Sequence, residues 1–166
     1  MGAWTRRALV ALLLSAPAAR AQAVRTVALL PLTSGMLAVQ ARGDGMVVVA
    51  ASESGDTATL TLGAPDVRAF ADSTRKLAAL RVPRRRRERV YKSLVTEPTT
   101  GAGLSFARHV TGGVSVYRLY FARADLSGFP FDVTRRELEL FLGALRRGAA
   151  EASRLAAQAD SVAPPP

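Results

Sequence analysis

The chain is 166 residues long and carries 23 lysines and arginines against 13 acids, with one histidine and no cysteine. The lack of cysteine excludes thiol nucleophiles, thiolate metal sites and disulfides, so packing alone must hold the fold. The formal net charge of +10 favours anionic partners through its long-range field, but there is no Ile, no Asn and no lysine beyond Lys76 and Lys92, a pattern in which GC-rich codons explain part of the arginine excess.

The first segment reads as a leader. MGAWTRR supplies a basic start at Arg6 and Arg7, ALVALLLSAPAA an apolar stretch of about a dozen residues, and ARA a small-x-small site. That three-part order is the secretory pattern, and the stretch is too short to span a bilayer. The expectation is a Sec-type signal peptide over residues 1–21, cleaved after Ala21, which places the mature protein outside the cytoplasm, in the periplasm or the medium. No cysteine follows to carry a lipid, and no later segment approaches the ~20 apolar residues of a membrane helix. Cleavage removes Arg6, Arg7 and Arg20, leaving 20 basic residues against 13 acids and a charge of +7. The remaining 145 residues suffice for one domain with a real core.

Four strands follow. VRTVALLPL and GMLAVQA are short apolar runs, MVVVAAS is richly β-branched, and TATLTL alternates with Ala58, Leu60 and Leu62 on one face. RGDG joins the second strand to the third and ESGD the third to the fourth, since Gly and Asp suit tight hairpins. Next comes a helix with Val67, Phe70, Ala71, Thr74, Leu77 and Ala78 on one stripe and Arg68, Asp72, Arg75 and Lys76 opposite. VPRRRRERVYK then interrupts the pattern with four consecutive arginines, Arg84 to Arg87. Beyond it, strands are predicted near ERVYKSLV, GLSFARHV, VSVYRLYFAR and FPFDV, with TTGAG and TGG at turns. The last helix opens with Thr134 and Glu137, an S/T-x-x-E capping box. It buries Leu138, Phe141, Leu142, Leu145, Ala149 and Ala152, and runs on through the polar, alanine-rich EASRLAAQAD, which either packs on a partner or frays.

The chain also resembles itself. At an offset of 71 residues, Leu60–Ala79 aligns with Phe131–Ala150 without a gap, setting Asp66 on Glu137, Phe70 on Phe141 and Arg75 on Arg146. Further back, Met46 meets Tyr117, Val48 meets Leu119 and Ala50 meets Phe121. The fold class expected is therefore α+β, an internal duplication of two ββββα units whose sheet faces and helix stripes close one shared core. The expected organisation is a signal peptide at 1–21, a first unit at 22–82, a basic connection at 83–87, a second unit at 88–160 and a disordered tail at 161–166, with 22–160 folding as one domain. This element order resembles the paired ββββα repeats of the Whirly and PUR single-stranded nucleic-acid-binding families. The resemblance covers most of the chain after the leader and carries no motif, so it transfers no functional residue.

Catalytic chemistry finds little footing. His109 is alone, whereas a general base needs an orienting partner and a metal site several ligands. Ser105 in GLSFA lacks the last glycine of a nucleophile elbow and sits in a strand. Glu137 and Glu139 point to different sides of a helix, Asp44, Asp56 and Asp66 belong to turns or a helix start, and no phosphate-binding glycine motif occurs. No catalytic residue, cofactor or metal is expected. RGD at Arg42–Asp44 matches the adhesion tripeptide, but its setting is that of a hairpin turn. The candidate anionic-ligand contacts are Arg84, Arg85, Arg86, Arg87, Arg89 and Lys92, set against the plainer reading of a solvated joint between repeats. Arg75, Lys76, Arg81, Arg146 and Arg147 extend that basic surface, and Tyr91, Tyr117 and Tyr120 offer stacking, although Tyr117 and Tyr120 lie on opposite strand faces. The function expected is that of an exported, non-enzymatic binding or accessory protein of the cell envelope, acting on a protein or an anionic polymer. The alternative is a single-stranded nucleic-acid binder of Whirly-like architecture.

Overall fold

The computed structural model describes residues 24–81, 89–125 and 127–162. The leader expected at 1–21 and Arg84–Arg87 lie outside these residues. Strands β1 (Arg25–Leu32), β2 (Gly35–Arg42), β3 (Gly45–Ser52) and β4 (Thr57–Leu62) form one antiparallel sheet in sequence order, followed by helix α1 (Ala64–Ala79). Strands β5 (Arg89–Thr96), β6 (Gly103–Thr111), β7 (Val114–Ala122) and β8 (Gly128–Val133) form a second such sheet, followed by helix α2 (Arg135–Val162). The fold is α+β with two sheet-helix units, as the sequence predicts.

The offset of 71 residues holds where it was drawn. Gly128–Val133 is Thr57–Leu62 displaced by that amount, and the aligned pairs Met46/Tyr117, Val48/Leu119, Ala50/Phe121 and Leu60/Phe131 are all buried in the core. The offset shortens at β2 because the β6–β7 hairpin is longer, Arg108 pairing with Tyr117 where Ala41 pairs with Met46, and again at β1 because the β5–β6 connection is six residues, 97–102, whereas β1 and β2 are joined by Thr33 and Ser34 alone. RGDG is a hairpin turn, with Arg42 paired to Gly45. Gly112 and Gly113 take φ of 59° and 86° in the β6–β7 hairpin, the positive values that its two-residue turn requires.

The helices change places, which the sequence did not announce. Helix α2 lies across β1, β2 and β3 of the first sheet, while α1 lies on β5 and β6 of the second, and the two helices pack on each other. Each unit therefore caps its counterpart's sheet, and a single hydrophobic cluster runs through both sheets and both helices. Phe70 anchors α1 and Phe141 anchors α2, both buried; full burial of a side chain of this size stabilises by about 1.5–3 kcal/mol. Gly148 lets α2 approach β2 and β3 closely: a Cβ there would lie 2.6 Å from Met46 Cε and 3.0 Å from Val39 Cγ1.

Polar contacts fix the exchange. The capping box forms as expected: Glu137 Oε2 accepts the Thr134 N–H at 2.7 Å, and Thr134 Oγ1 accepts the Glu137 N–H at 3.2 Å. Glu137 Oε1 also accepts the Thr33 N–H at 2.8 Å and the Thr33 hydroxyl at 3.0 Å, tying α2 to the β1–β2 turn. Burial pushes the Glu137 carboxyl up, but these donors together outweigh it and hold the group below its ordinary value. Arg68 of α1 donates to the Ala149 carbonyl and Ser153 Oγ of α2. Where the two sheets meet, Arg123 donates to the Thr57 carbonyl at 2.8 Å.

The extension of α2 neither frays nor waits for a partner over its first turns. Ala152 and Leu155 enter the core, Leu155 and Ala156 pass beside Gly43, and Glu151 binds both Arg25 and Arg154. The helix reaches Val162, beyond the boundary expected at residue 160, because no proline intervenes before Pro164.

Candidate interaction surface

Strand alternation sends each inward row to the core and leaves each sheet one outward face. On the first sheet the outward rows read Leu29–Ala38–Val49–Thr59 and Pro31–Met36–Ala51–Thr57, with Gln40–Val47–Thr61 beside them. These rows contain no charge. Ala38, Val47, Val49 and Ala51 form a second, smaller buried cluster with Met36 against it.

The second sheet differs. Its outward rows are Val90–His109–Val116, Lys92–Ala107–Arg118–Asp132 and Leu94–Ser105–Tyr120–Pro130. Val90, Val116 and Leu94 are 42%, 45% and 65% exposed, and Tyr120 is also exposed. Arg118 grips Asp132 through two hydrogen bonds of 2.6 and 2.9 Å. That grip holds the Asp132 carboxyl below the usual range against the effect of burial, helped by the charges of Arg118 and His109. Lys92 is the one lysine or arginine of this face without a carboxylate partner among the described residues.

The basic surface read from the sequence is only partly assembled. Arg89 and Lys92 are exposed on β5. Arg75 pairs with Glu139 and Arg146 with Asp72, so these two arginines join the helices. Of the tyrosines, Tyr120 faces outward, while Tyr117 is buried and Tyr91 shares the inward row with Arg108. Ser105 lies within β6, opposite Leu94 and Tyr120, in strand geometry.

The residue that sequence reasoning missed is Arg108. It is buried, and its Nη1 lies 2.8, 3.0 and 2.9 Å from the carbonyl oxygens of Leu77, Ala78 and Leu80 at the end of α1. Nε and Nη2 donate to Ser115 Oγ, and the guanidinium stands 5.7 Å from the Tyr117 ring centre. A cation thus satisfies the helix's last carbonyls and faces the negative end of its dipole. The signal was present: Leu104, Phe106, Arg108 and Val110 are alternate residues, so a charge stood on an apolar face.

A cavity of about 450 Å³ opens between α1 and β5. Phe70 and Val95 form its apolar walls, with Asp66, Ser73 and Ser93 supplying polar groups. Beside it, a hydrogen bond of 2.6 Å joins Thr74 Oγ1 to Ser93 Oγ and fixes α1 on the strand. No protein-family model matches the chain, and no curated protein matches its sequence.

Proposed function

We propose that this is an exported, non-enzymatic binding or accessory protein of the cell envelope, whose ligand is another protein. The observation that carries the reading is the outward face of the second sheet, where exposed Val90, Leu94, Val116 and Tyr120 surround one cation, Lys92, that has no carboxylate partner among the described residues. Exposed apolar side chains clustered within a polar rim suit protein contact. Binding to an anionic polymer would draw instead on many free cations, a role left to Arg84 to Arg87, which lie outside the described residues. Export rests on the leader pattern, with cleavage after Ala21; β1 begins at Arg25, so that cut leaves every described strand whole. The element order is read as Whirly- or PUR-like, and a single-stranded nucleic-acid ligand is the competing outcome.

The test places a photo-crosslinking residue at Val116 and, as a control, at Lys76 on α1, in the native host. A protein adduct at Val116 alone supports the reading. Strong salt-dependent binding to oligonucleotides or polyphosphate, lost when Arg84 to Arg87 become serine, would replace it with a polyanion binder. A cytoplasmic product that retains Met1 would end the export proposal.

A further inference from the structure

The four sheet edges are not equally protected. Edge strands expose unpaired backbone groups, and proteins blunt them with bulges, prolines or covering contacts. Strand β1 has an irregular register between Thr26 and Ala28 and carries Pro31. Strand β8 carries Pro130, and the first carbonyl of β4 is taken by Arg123. Strand β5 has neither proline nor bulge, and its cover among the described residues is α1, held to its inward row by Thr74 and Ser93. Its eight residues pair with β6 in unbroken register from Arg89 to Thr96. Alternate N–H and C=O groups of such a strand point to the side away from its partner. That side opens onto the groove against α1, where Phe70, Ser73, Ser93 and Val95 stand.

We infer that the β5 edge accepts an extended segment of a partner protein as a fifth strand of the second sheet. The inference rests on the protein-binding reading above and deepens it by naming the recognition mode. Main-chain hydrogen bonds to β5 would supply affinity, and alternate side chains specificity. Residues of the added strand that face outward meet Val90, Lys92 and Leu94, which sets their chemistry as apolar, acidic, apolar. A residue facing inward enters the groove between Phe70 and Val95, with Ser73 and Ser93 in reach of a polar tip. Charge decides against a second copy of the chain. Two β5 strands paired antiparallel about Lys92 set that lysine against itself, and like charges directly opposite destabilise a sheet.

The test uses short synthetic peptides on the full chain: one alternating apolar and acidic residues, one with lysine replacing the acids, and one with alternate backbone nitrogens methylated. The acidic peptide is expected to bind and the methylated peptide to fail. Lys92→Glu should weaken the acidic peptide roughly fivefold, the upper end for an exposed ion pair, and admit the lysine peptide. Equal binding of the methylated peptide, indifference to Lys92→Glu, or a dimer in sedimentation that closes this edge would each overturn the inference. If no peptide binds while Val116 still crosslinks to a protein, strand addition falls and the protein-binding reading stands; if neither occurs, both fall.

Discussion

The two sheets share their inner faces and part company on their outer ones. Val47 and Arg118 are equivalent at the 71-residue offset, as are Val49 and Tyr120, and all four point away from the core helices. In the first sheet these positions are apolar and only 2% and 4% exposed; in the second they hold an ion-paired arginine and an exposed tyrosine. Inward, the same alignment keeps Met46, Val48 and Ala50 matched to Tyr117, Leu119 and Phe121, all buried. Packing against an exchanged helix therefore makes the inner faces of the two units alike, whereas the outer faces differ, buried and apolar at the centre of the first sheet and exposed and polar on the second. In that comparison the second sheet presents charged and aromatic groups to solvent, while the first is closed at its centre and exposes the uncharged Leu29, Pro31 and Thr59 on its edge strands.

The strongest way to break this account is through the shared interior. Phe70→Ala and Phe141→Ala should each cost about 3–5 kcal/mol in urea unfolding, because each removes a buried aromatic side chain from the core. Unequal losses would show that the helix anchors are not equivalent. A neutral result at either position would end the pseudo-symmetric reading. Next in size is Arg108→Ala, expected to cost about 2–3 kcal/mol by stripping the last carbonyls of α1 of a charged donor. That loss tests an asymmetry: Arg108 pairs with Tyr117 as Ala41 pairs with Met46, so the equivalent inward position of the first sheet is Ala41, buried and apolar.

Much of this architecture was legible before any coordinates. All eight strands are readable because short apolar or β-branched runs, the alternation of TATLTL and glycine-rich turns are local signals, and the α2 capping box is readable from Thr134 and Glu137. The exchange of helices is not, because a helix stripe states that it needs an apolar sheet but not which sheet. The same limit explains Arg75 and Arg146. Both read as free cations on polar helix faces, yet helix packing brings Glu139 and Asp72 to them. Of the anionic-contact candidates, Arg89 and Lys92 were rightly placed on a strand near the join, while the groove beside them depends on α1 crossing to β5 and left no local trace.

The outer faces can be compared directly by one substitution at equivalent positions. Val47→Ser in the full chain should cost about 1.5–3 kcal/mol, the transfer value for a buried valine side chain. Arg118→Ser should cost under about 1 kcal/mol, because its partner Asp132 is solvent-exposed and the pair is screened. Chemical denaturation of both variants reads the difference. Equal costs would mean that the two outward faces are under the same constraint.

A small effect is also expected at the helix starts, which differ between the repeats. Helix α1 begins after Gly63 without a side-chain cap, whereas α2 has its box and the additional clasp to Thr33. Glu137→Gln keeps an acceptor for the box but loses the carboxylate charge at the helix start, and should therefore cost about 0.3–1 kcal/mol near neutral pH, and Asp66→Asn at the equivalent position less. The pH dependence follows from the depressed folded value of Glu137. Its contribution is complete above the unfolded carboxyl pKa and disappears as pH falls through the lower folded one. Glu151 behaves alike: hydrogen bonds from Arg154 and then Arg25 lower it from 4.5 to about 2. Stability of the native chain should thus decline from about pH 4.5 down to about pH 2. Glu137→Gln should flatten the upper part of that decline, and Glu151→Gln should flatten it to its lower end. Thermal midpoints measured across this range decide the matter. An acid limb unchanged in both variants would show that the carboxylates holding α2 to the first sheet do not set its stability.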